Sequence, residues 1–139
     1  MGVAELYAIL RLRQEVFVVE QDCAYLDADG GDEVAMHLRG YDDDALVAYL
    51  RAFPPSEDGC VHIGRVIVVE AVRGRGLGQA LMTRGADLAT AKWGPHPIHL
   101  SAQAHLEPFY ASLGYVATGP GYLEDGIPHL PMRRPQPGG

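Results

Sequence analysis

Cysteine is scarce and unpatterned in this chain: Cys23 and Cys60 are the two present, and no C-x-x-C spacing occurs. That excludes a disulfide framework and a thiolate metal site. Long apolar runs are missing too, since nothing approaches the ~18–20 residues that span a bilayer. The N-terminus has no basic stretch followed by an apolar one and a cleavage site. Neither membrane insertion nor export is expected, and a reduced, cytoplasmic setting is. Positive charge is in deficit, with a formal net charge of −7. Nucleic-acid phosphates would be repelled except at a local basic patch, whereas a cationic or amine substrate is compatible with that balance. The six histidines, at 37, 62, 96, 99, 105 and 129, never fall at a metal-ligand spacing such as H-x-x-x-H, so no metal is expected. What the chain does have is 47% hydrophobic residues over 139 positions. That is enough for a single domain, residues 1–139, with one continuous core.

The most informative segment runs from Ile67 to Leu81. A β-branched run, Ile67-Val68-Val69, breaks into Gly74, Gly76 and Gly78 on alternate positions, and an amphipathic helix follows at once. A strand, a tight turn and a helix N-terminus together make an anion-binding site. The glycines let backbone approach a ligand, and the free N–H groups of the first helical turn favour a phosphate. Arg73 and Arg75 add formal charge beside it. Register decides which kind of loop this is. A Walker loop needs Lys followed by Ser or Thr after its glycines, and none follows here. A dinucleotide fingerprint needs Gly or Ala three residues after its second glycine, where this chain has Gln79 or Leu81. The pattern that fits is [Q/R]-x-x-G-x-[G/A], read as Arg73, Gly76 and Gly78. A Gly-rich turn capping an ordinary strand–helix connection is the bland alternative.

Along the rest of the chain, Glu5 to Val18 carries apolar residues near helical spacing. Glu20 to Asp32 is polar and turn-rich. Val34 to Tyr41 and Ala45 to Phe53 read as a hairpin with Asp42-Asp-Asp44 as its turn. Val61 to Val69 is a long strand. Leu77 to Lys92 is a helix with Leu77, Ala80, Leu81 and Leu88 on its buried side, ended by Trp93-Gly-Pro. Ile98 to Gln103 is a strand, Leu106 to Leu113 a short helix, and Tyr115 to Thr118 and Leu130 to Arg133 the last strands. That order implies an α/β or α+β fold, a mixed sheet with helices packed on its faces.

The loop pattern resembles the acetyl-CoA signature of the GNAT superfamily of N-acetyltransferases. Phe109-Tyr110-Ala-Ser-Leu-Gly114-Tyr115 is similar to that family's second signature. Phe17 to Gly30, with Glu20, Gln21, Cys23, Tyr25, Asp27 and Asp29, resembles the front segment of ElaA-like members; Ala102 to Leu106 and Glu124 to His129 resemble their later segments. The resemblance implies a mostly antiparallel central sheet flanked by helices, with acetyl-CoA as cosubstrate. One departure is plain: the family opens with a strand before its first helix, and only five residues precede Leu6. Either the chain begins late, or that edge is empty or filled by a neighbouring chain, as in a homodimer.

By resemblance, the loop Arg73, Gly74, Arg75, Gly76, Leu77, Gly78 and Gln79 holds the CoA pyrophosphate. Ile67, Val68 and Val69 lie along the pantetheine and offer an N–H to the thioester carbonyl. From its helix alone Tyr110 reads first as a core tyrosine beside Phe109; the signature makes it the acid that protonates the departing thiolate. Glu20, Glu70, His62, His105, Glu124 and His129 are candidate bases, unless an ordered water serves. Glu20 and His129 rank first because they sit in the most characteristic segments. Acidic loop residues Asp22, Asp27, Asp29, Glu124 and Asp125 suggest a cationic group on the acceptor. The expected activity is direct transfer of an acetyl group from acetyl-CoA to a primary amine of a small molecule or peptide. A non-catalytic acetyl-CoA-sensing module is the alternative from another class, and transfer of longer acyl groups, as in homoserine-lactone synthases, a third.

Overall fold

The computed structural model describes residues 2–21, 29–74 and 76–136. Helix α1, Val3–Arg13, opens it, with Glu5 accepting from the Gly2 N–H at 2.6 Å. The helix does not end where its apolar spacing fades. It continues as a π-helical stretch, Gln14–Glu20, in which the Gln21 N–H reaches back to the Val16 carbonyl at 3.2 Å. Strands β1 (Met36–Asp42) and β2 (Ala45–Phe53) form the expected hairpin. Asp42 pairs with Ala45, so Asp43 and Asp44 make a two-residue turn, with Asp43 at φ 52°. Then come β3 (Val61–Val68), α2 (Leu77–Trp93), β4 (Ile98–Gln103), α3 (Glu107–Ser112), β5 (Val116–Ala117), β6 (Tyr122–Glu124) and β7 (Ile127–Arg134).

The sheet runs β1-β2-β3-β4-β7-β5, with β6 also on β7. Among the described strands only β3 and β4 pair in parallel. No strand precedes α1 among the described residues, and the outer edge of β1 has no strand partner among them. Strand β6 was not expected, and β7 begins three residues earlier than Leu130, because Asp125 and Gly126 turn the chain back on itself at φ 50° and 77°.

Each sheet face has its own core. Leu81, Met82, Ala86 and Ala89 of α2 pack with Leu50, Ile63, Leu100, Tyr110 and Met132 on one face. Ile9, Leu12 and Val16 pack with Tyr49 and Ile67 on the other. The buried side of α2 is therefore rotated from the expected one: Ala80 is exposed, Leu77 and Leu88 only half-buried, while Met82, Gly85, Ala86 and Ala89 face the sheet. Small residues set this contact. A Cβ on Gly85 would stand 2.8 Å from Leu50 Cδ2, so the helix sits closer to β2 than a leucine stripe would permit.

The face under α1 also buries charge. Arg13 is fully buried and Arg51 4% exposed. Arg13 Nη1 donates to Asp32 Oδ1 at 2.6 Å, and Arg51 donates to Asp29 Oδ1 at 2.9 Å and to Asp32 Oδ1 at 3.1 Å. Buried guanidinium groups are tolerated only with such partners. The network ties the segment at residues 29–32 to α1 and β2.

Candidate functional site

Strands β3 and β4 pair only at Val61↔Ile98 and His62↔His99 and then part. The cause lies within β3. Tyr49 of β2 faces Ile67 and Arg51 faces Gly64, so one extra residue is inserted, with Arg65 at φ 52°. Parity confirms it: Val61 and Ile63 belong to the α2-side core, and beyond the bulge Val66 and Val68 pack on that core while Ile67 points to the α1 side. The β3 edge facing β4 is left without a strand partner beyond His62. An open cleft of about 1260 Å³ fills the gap, lined from β3, the glycine loop, α3, the π-helical stretch and the start of β7. The bulge was missed from the sequence, although an interior glycine, Gly64, is its ordinary signal.

The three glycines serve two different purposes. Gly74 and Gly76 sit at φ 85° and 76°, with nothing within 4 Å of an added Cβ, so they are needed for backbone conformation. Gly78 is helical, and its Cβ would stand 3.2 Å from Phe109 Cζ, so it is needed for packing. Gly76 caps α2 in the left-handed conformation, with no side-chain cap and no acidic residue in the first turn. The N–H groups opening α2 are therefore left to a ligand, and the helix dipole points the same way. Gly74, Gly76, Leu77, Gly78 and Gln79 all line the cleft. Arg75 lies outside the described residues. Arg73 is turned back on the protein: its Nε donates to the Val68 carbonyl at 2.7 Å, and its Nη2 lies 3.1 Å from Glu20 Oε2.

Ile67 and Val68 line the cleft, whereas Val69 does not. The strand ends at Val68, and the Val69 N–H is taken by the Val47 carbonyl at 2.9 Å. Tyr110 is both a core residue and a cleft residue. It is 6% exposed, packs edge-on against Phe109 and Tyr115, and lines the cleft. Burial pushes its hydroxyl up to about 12.

The base candidates divide by position. Glu20, His105, Glu124 and His129 line the cleft. His62 lies elsewhere, with its Nε2 2.8 Å from Asp58 Oδ2, and Glu70 is on an exposed turn. Glu20 is held by Arg73. His129, 8% exposed, has its Nδ1 2.7 Å from the Ile127 carbonyl and its Nε2 3.2 Å from Glu124 Oε2. A carbonyl can only accept, so Nδ1 carries a proton and Nε2 is the nitrogen left for chemistry. The His129 ring stacks on Tyr122, whose hydroxyl bonds to Ser101 Oγ.

Of the acidic residues expected to greet a cationic acceptor, Asp29 is already neutralised. Its hydrogen bond from Arg51 holds its carboxyl far below the usual carboxylate range. Asp22 and Asp27, like Cys23 and Tyr25 of the front segment, lie outside the described residues. Glu124 and Asp125 line the cleft. No group of three metal-ligating side chains forms among the described residues.

Residues 15–135 match the acetyltransferase (GNAT) domain family. Protein ElaA of Escherichia coli strain K12 is 47% identical over 137 residues, covering 96% of this chain and 90% of that protein. An acyl-CoA N-acyltransferase of Pseudomonas aeruginosa has a crystal structure that superposes with a TM-score of 0.91 at 50% identity, over 96% of this chain and 92% of its own. An aminoglycoside 6′-N-acetyltransferase complexed with coenzyme A shares the fold at a TM-score of 0.71 and 17% identity, over 91% of this chain and 88% of its own. The chain belongs to the GNAT acetyltransferase family and is an acyltransferase.

Proposed function

We propose that this GNAT acyltransferase works as a single domain that moves an acetyl group from acetyl-CoA directly to a primary amine of a small molecule or peptide. The observation that carries the reading is the cleft where β3 and β4 part, with the uncapped start of α2 at one side and Tyr110 and His129 on its walls. The amides of Leu77, Gly78 and Gln79, freed by the turn through Gly74 and Gly76, hold the pyrophosphate. The unpaired edge of β3 at Ile67 and Val68 takes the pantetheine as an added strand, leaving Val69 to the α1-side core. Arg73 braces the loop against Val68 and Glu20 and adds charge near the phosphates; Arg75, two residues on in sequence, adds formal charge to the same loop.

His129 is the better base of the two foremost candidates, because with Nδ1 protonated its Nε2 keeps a lone pair, beside the Glu124 carboxylate, while Glu20 is engaged by Arg73. Proton bookkeeping then closes. The ammonium loses one proton to His129 before attack and a second as the tetrahedral intermediate collapses; the second ends on the departing sulfur. Tyr110 at about 12 stands roughly 3.5 units above an ordinary thiol near ~8.5, so outright transfer to free thiolate would run uphill by about 5 kcal/mol. Its contribution is a hydrogen bond donated to sulfur as charge develops there. Tyr110→Phe should therefore lower kcat by about a hundredfold while leaving CoA affinity nearly unchanged.

The acid–base chemistry needs no metal, the net charge of −7 favours a cationic acceptor over nucleic acid, and no described helix is long and apolar enough to cross a membrane. The reading assigns the protein to the cytoplasm, where acyl-CoA is available. Thiol release from acetyl-CoA across a panel of primary amines tests it. Release that needs both an amine and Tyr110 is expected. Tight CoA binding with no turnover on any amine would overturn the reading in favour of an acetyl-CoA sensor.

A further inference from the structure

We propose that Glu124 is the positioning residue of an amine-capturing pair, holding His129 ready to take the acceptor's proton. This rests on the N-acetyltransferase reading above and extends it to a residue that acts through the base. Three constraints converge on His129. Its Nδ1–H is committed to the Ile127 carbonyl at 2.7 Å. Its ring is stacked on Tyr122, whose hydroxyl is itself anchored on Ser101. Its Nε2 meets Glu124 Oε2 at 3.2 Å.

The consequence follows from donor counting. Neutral His129 with a protonated Nδ1 offers only a lone pair at Nε2, and a carboxylate oxygen offers only lone pairs. Two acceptors 3.2 Å apart repel unless a donor lies between or beside them. One such donor is a proton on Nε2, which makes an imidazolium–carboxylate pair. The other is the N–H of an incoming ammonium, which can bond to both atoms at once. These are the two ends of a single step: an N–H bond of the ammonium breaks, an Nε2–H bond forms, and the charge moves from the substrate to an imidazolium that Glu124 stabilises. The free amine is left with its lone pair for attack. Glu124 is half exposed, with 51% of its side chain accessible, so the pair opens to the cleft rather than being sealed in the core.

The hairpin builds this arrangement. Glu124 ends β6, Asp125 and Gly126 turn the chain, and His129 lies three residues beyond the turn on β7, opposite Tyr122 on one side and Gln103 on the other. Glu124 and Tyr122 of β6 touch His129; Asp125 of the turn, His105 of the segment before α3, Tyr110 and Glu20 line the same cleft, and β4 presents Gln103 and Ser101, neither of which titrates.

The test has two readouts. Imidazole nitrogen NMR on histidine-labelled protein, with the His129 signals assigned by their loss in His129→Gln, reports tautomer and titration without any acceptor. The Nδ1-protonated tautomer is expected in both wild type and Glu124→Gln, with the titration midpoint about half a pH unit lower in the variant, because an opposite charge at this distance favours the cation. Glu124→Asp should recover part of the shift. In turnover with acetyl-CoA and the amine panel, the acidic limb of kcat/KM should move by the same amount in Glu124→Gln while KM for acetyl-CoA stays within twofold. An unchanged midpoint, an Nε2-protonated tautomer, or a limb that does not move would overturn the proposal. Absence of amine-dependent turnover in the wild type would instead overturn the N-acetyltransferase reading, and the NMR arm would still decide the pairing.

Discussion

Replacing the loop glycines one at a time separates conformation from packing. Gly76 is held at φ 76° with open space around its missing Cβ, so Gly76→Ala meets no neighbour and suffers only the left-handed penalty. That penalty is about 1 kcal/mol, and for a chain of this length it lowers Tm by about 4 °C. Asparagine tolerates the left-handed region, so Gly76→Asn should recover most of the loss. Gly78 differs. As a helical residue it would gain up to about 1 kcal/mol from alanine propensity. Its Cβ, however, would press on Phe109 at 3.2 Å and 3.4 Å, so either that ring or the start of α2 must yield by a few tenths of an ångström. The two effects nearly cancel in Tm, but the displacement falls on the amides proposed to hold the pyrophosphate. With one charge-assisted hydrogen bond weakened, CoA affinity should fall about tenfold, or about 1.4 kcal/mol. Thermal melts and calorimetric CoA titrations on the three variants check this. If Gly78→Ala lost more Tm than Gly76→Ala, or bound CoA as wild type does, the assignment of different roles to the two glycines would be refuted.

Three other outcomes are expected. Arg51→Leu takes from Asp29 its Arg51 hydrogen bonds and leaves Asp32 held by Arg13 alone; opening this part-buried network should cost about 2 kcal/mol, read as a urea midpoint lower by about 1 M, and an unchanged midpoint would deny the network a structural role. Asp29 is held low by its Arg51 hydrogen bond; burial pushes Asp32 upward, but its pairing with Arg13 and Arg51 together outweighs that and leaves it lowered as well. The unfolded chain then takes up protons first, so the stability these two carboxylates give is complete above about pH 5 and is lost as pH falls below about 4, which melts across that range would show. Glu20→Gln removes the carboxylate that partly neutralises Arg73, and calorimetry should find CoA bound about threefold tighter with a steeper salt dependence; weaker binding would show that Glu20 instead holds Arg73 in place for the cofactor.

How far the sequence could be read depended on whether an element's cause was local. The β1–β2 hairpin, the end of α2 and β4 were legible because turn residues and short-range alternation produce them directly. Strand β6 was not. Tyr122, Leu123 and Glu124 are all exposed, and they form a strand because β7 offers an edge to pair with, not because their own pattern requires it. The buried side of α2 was misjudged for a related reason: bulk hydrophobicity favours the leucines, whereas close approach to the sheet selects Gly85, Ala86 and Ala89. The burial of Arg13 and Arg51 has no signal in their own segments, because the carboxylates that make it possible, Asp29 and Asp32, come from about twenty residues away in sequence.

The same distinction runs through the site. The glycine loop was legible because a left-handed backbone and a bare helix start constrain residue type at the position itself. Glu124 and His129 were each visible as candidates, but their relation was not, since it depends on a turn register that a one-residue slip would destroy. Here the two-residue turn at Asp125 and Gly126 pairs Glu124 with Ile127 and Tyr122 with His129. That register brings the carboxylate diagonally to Nε2, and the Ile127 carbonyl fixes the tautomer from within the same strand. Lengthening the turn by one glycine after Gly126 would leave every residue of the pair present while shifting His129 off the Tyr122 ring. If the pair works as a unit, that insertion should abolish the acidic limb of the rate profile as thoroughly as His129→Gln does, with CoA affinity preserved because the loop at Gly74–Gly78 is untouched. A limb that survived the insertion would mean that the two side chains act separately and that their contact at 3.2 Å is incidental to catalysis.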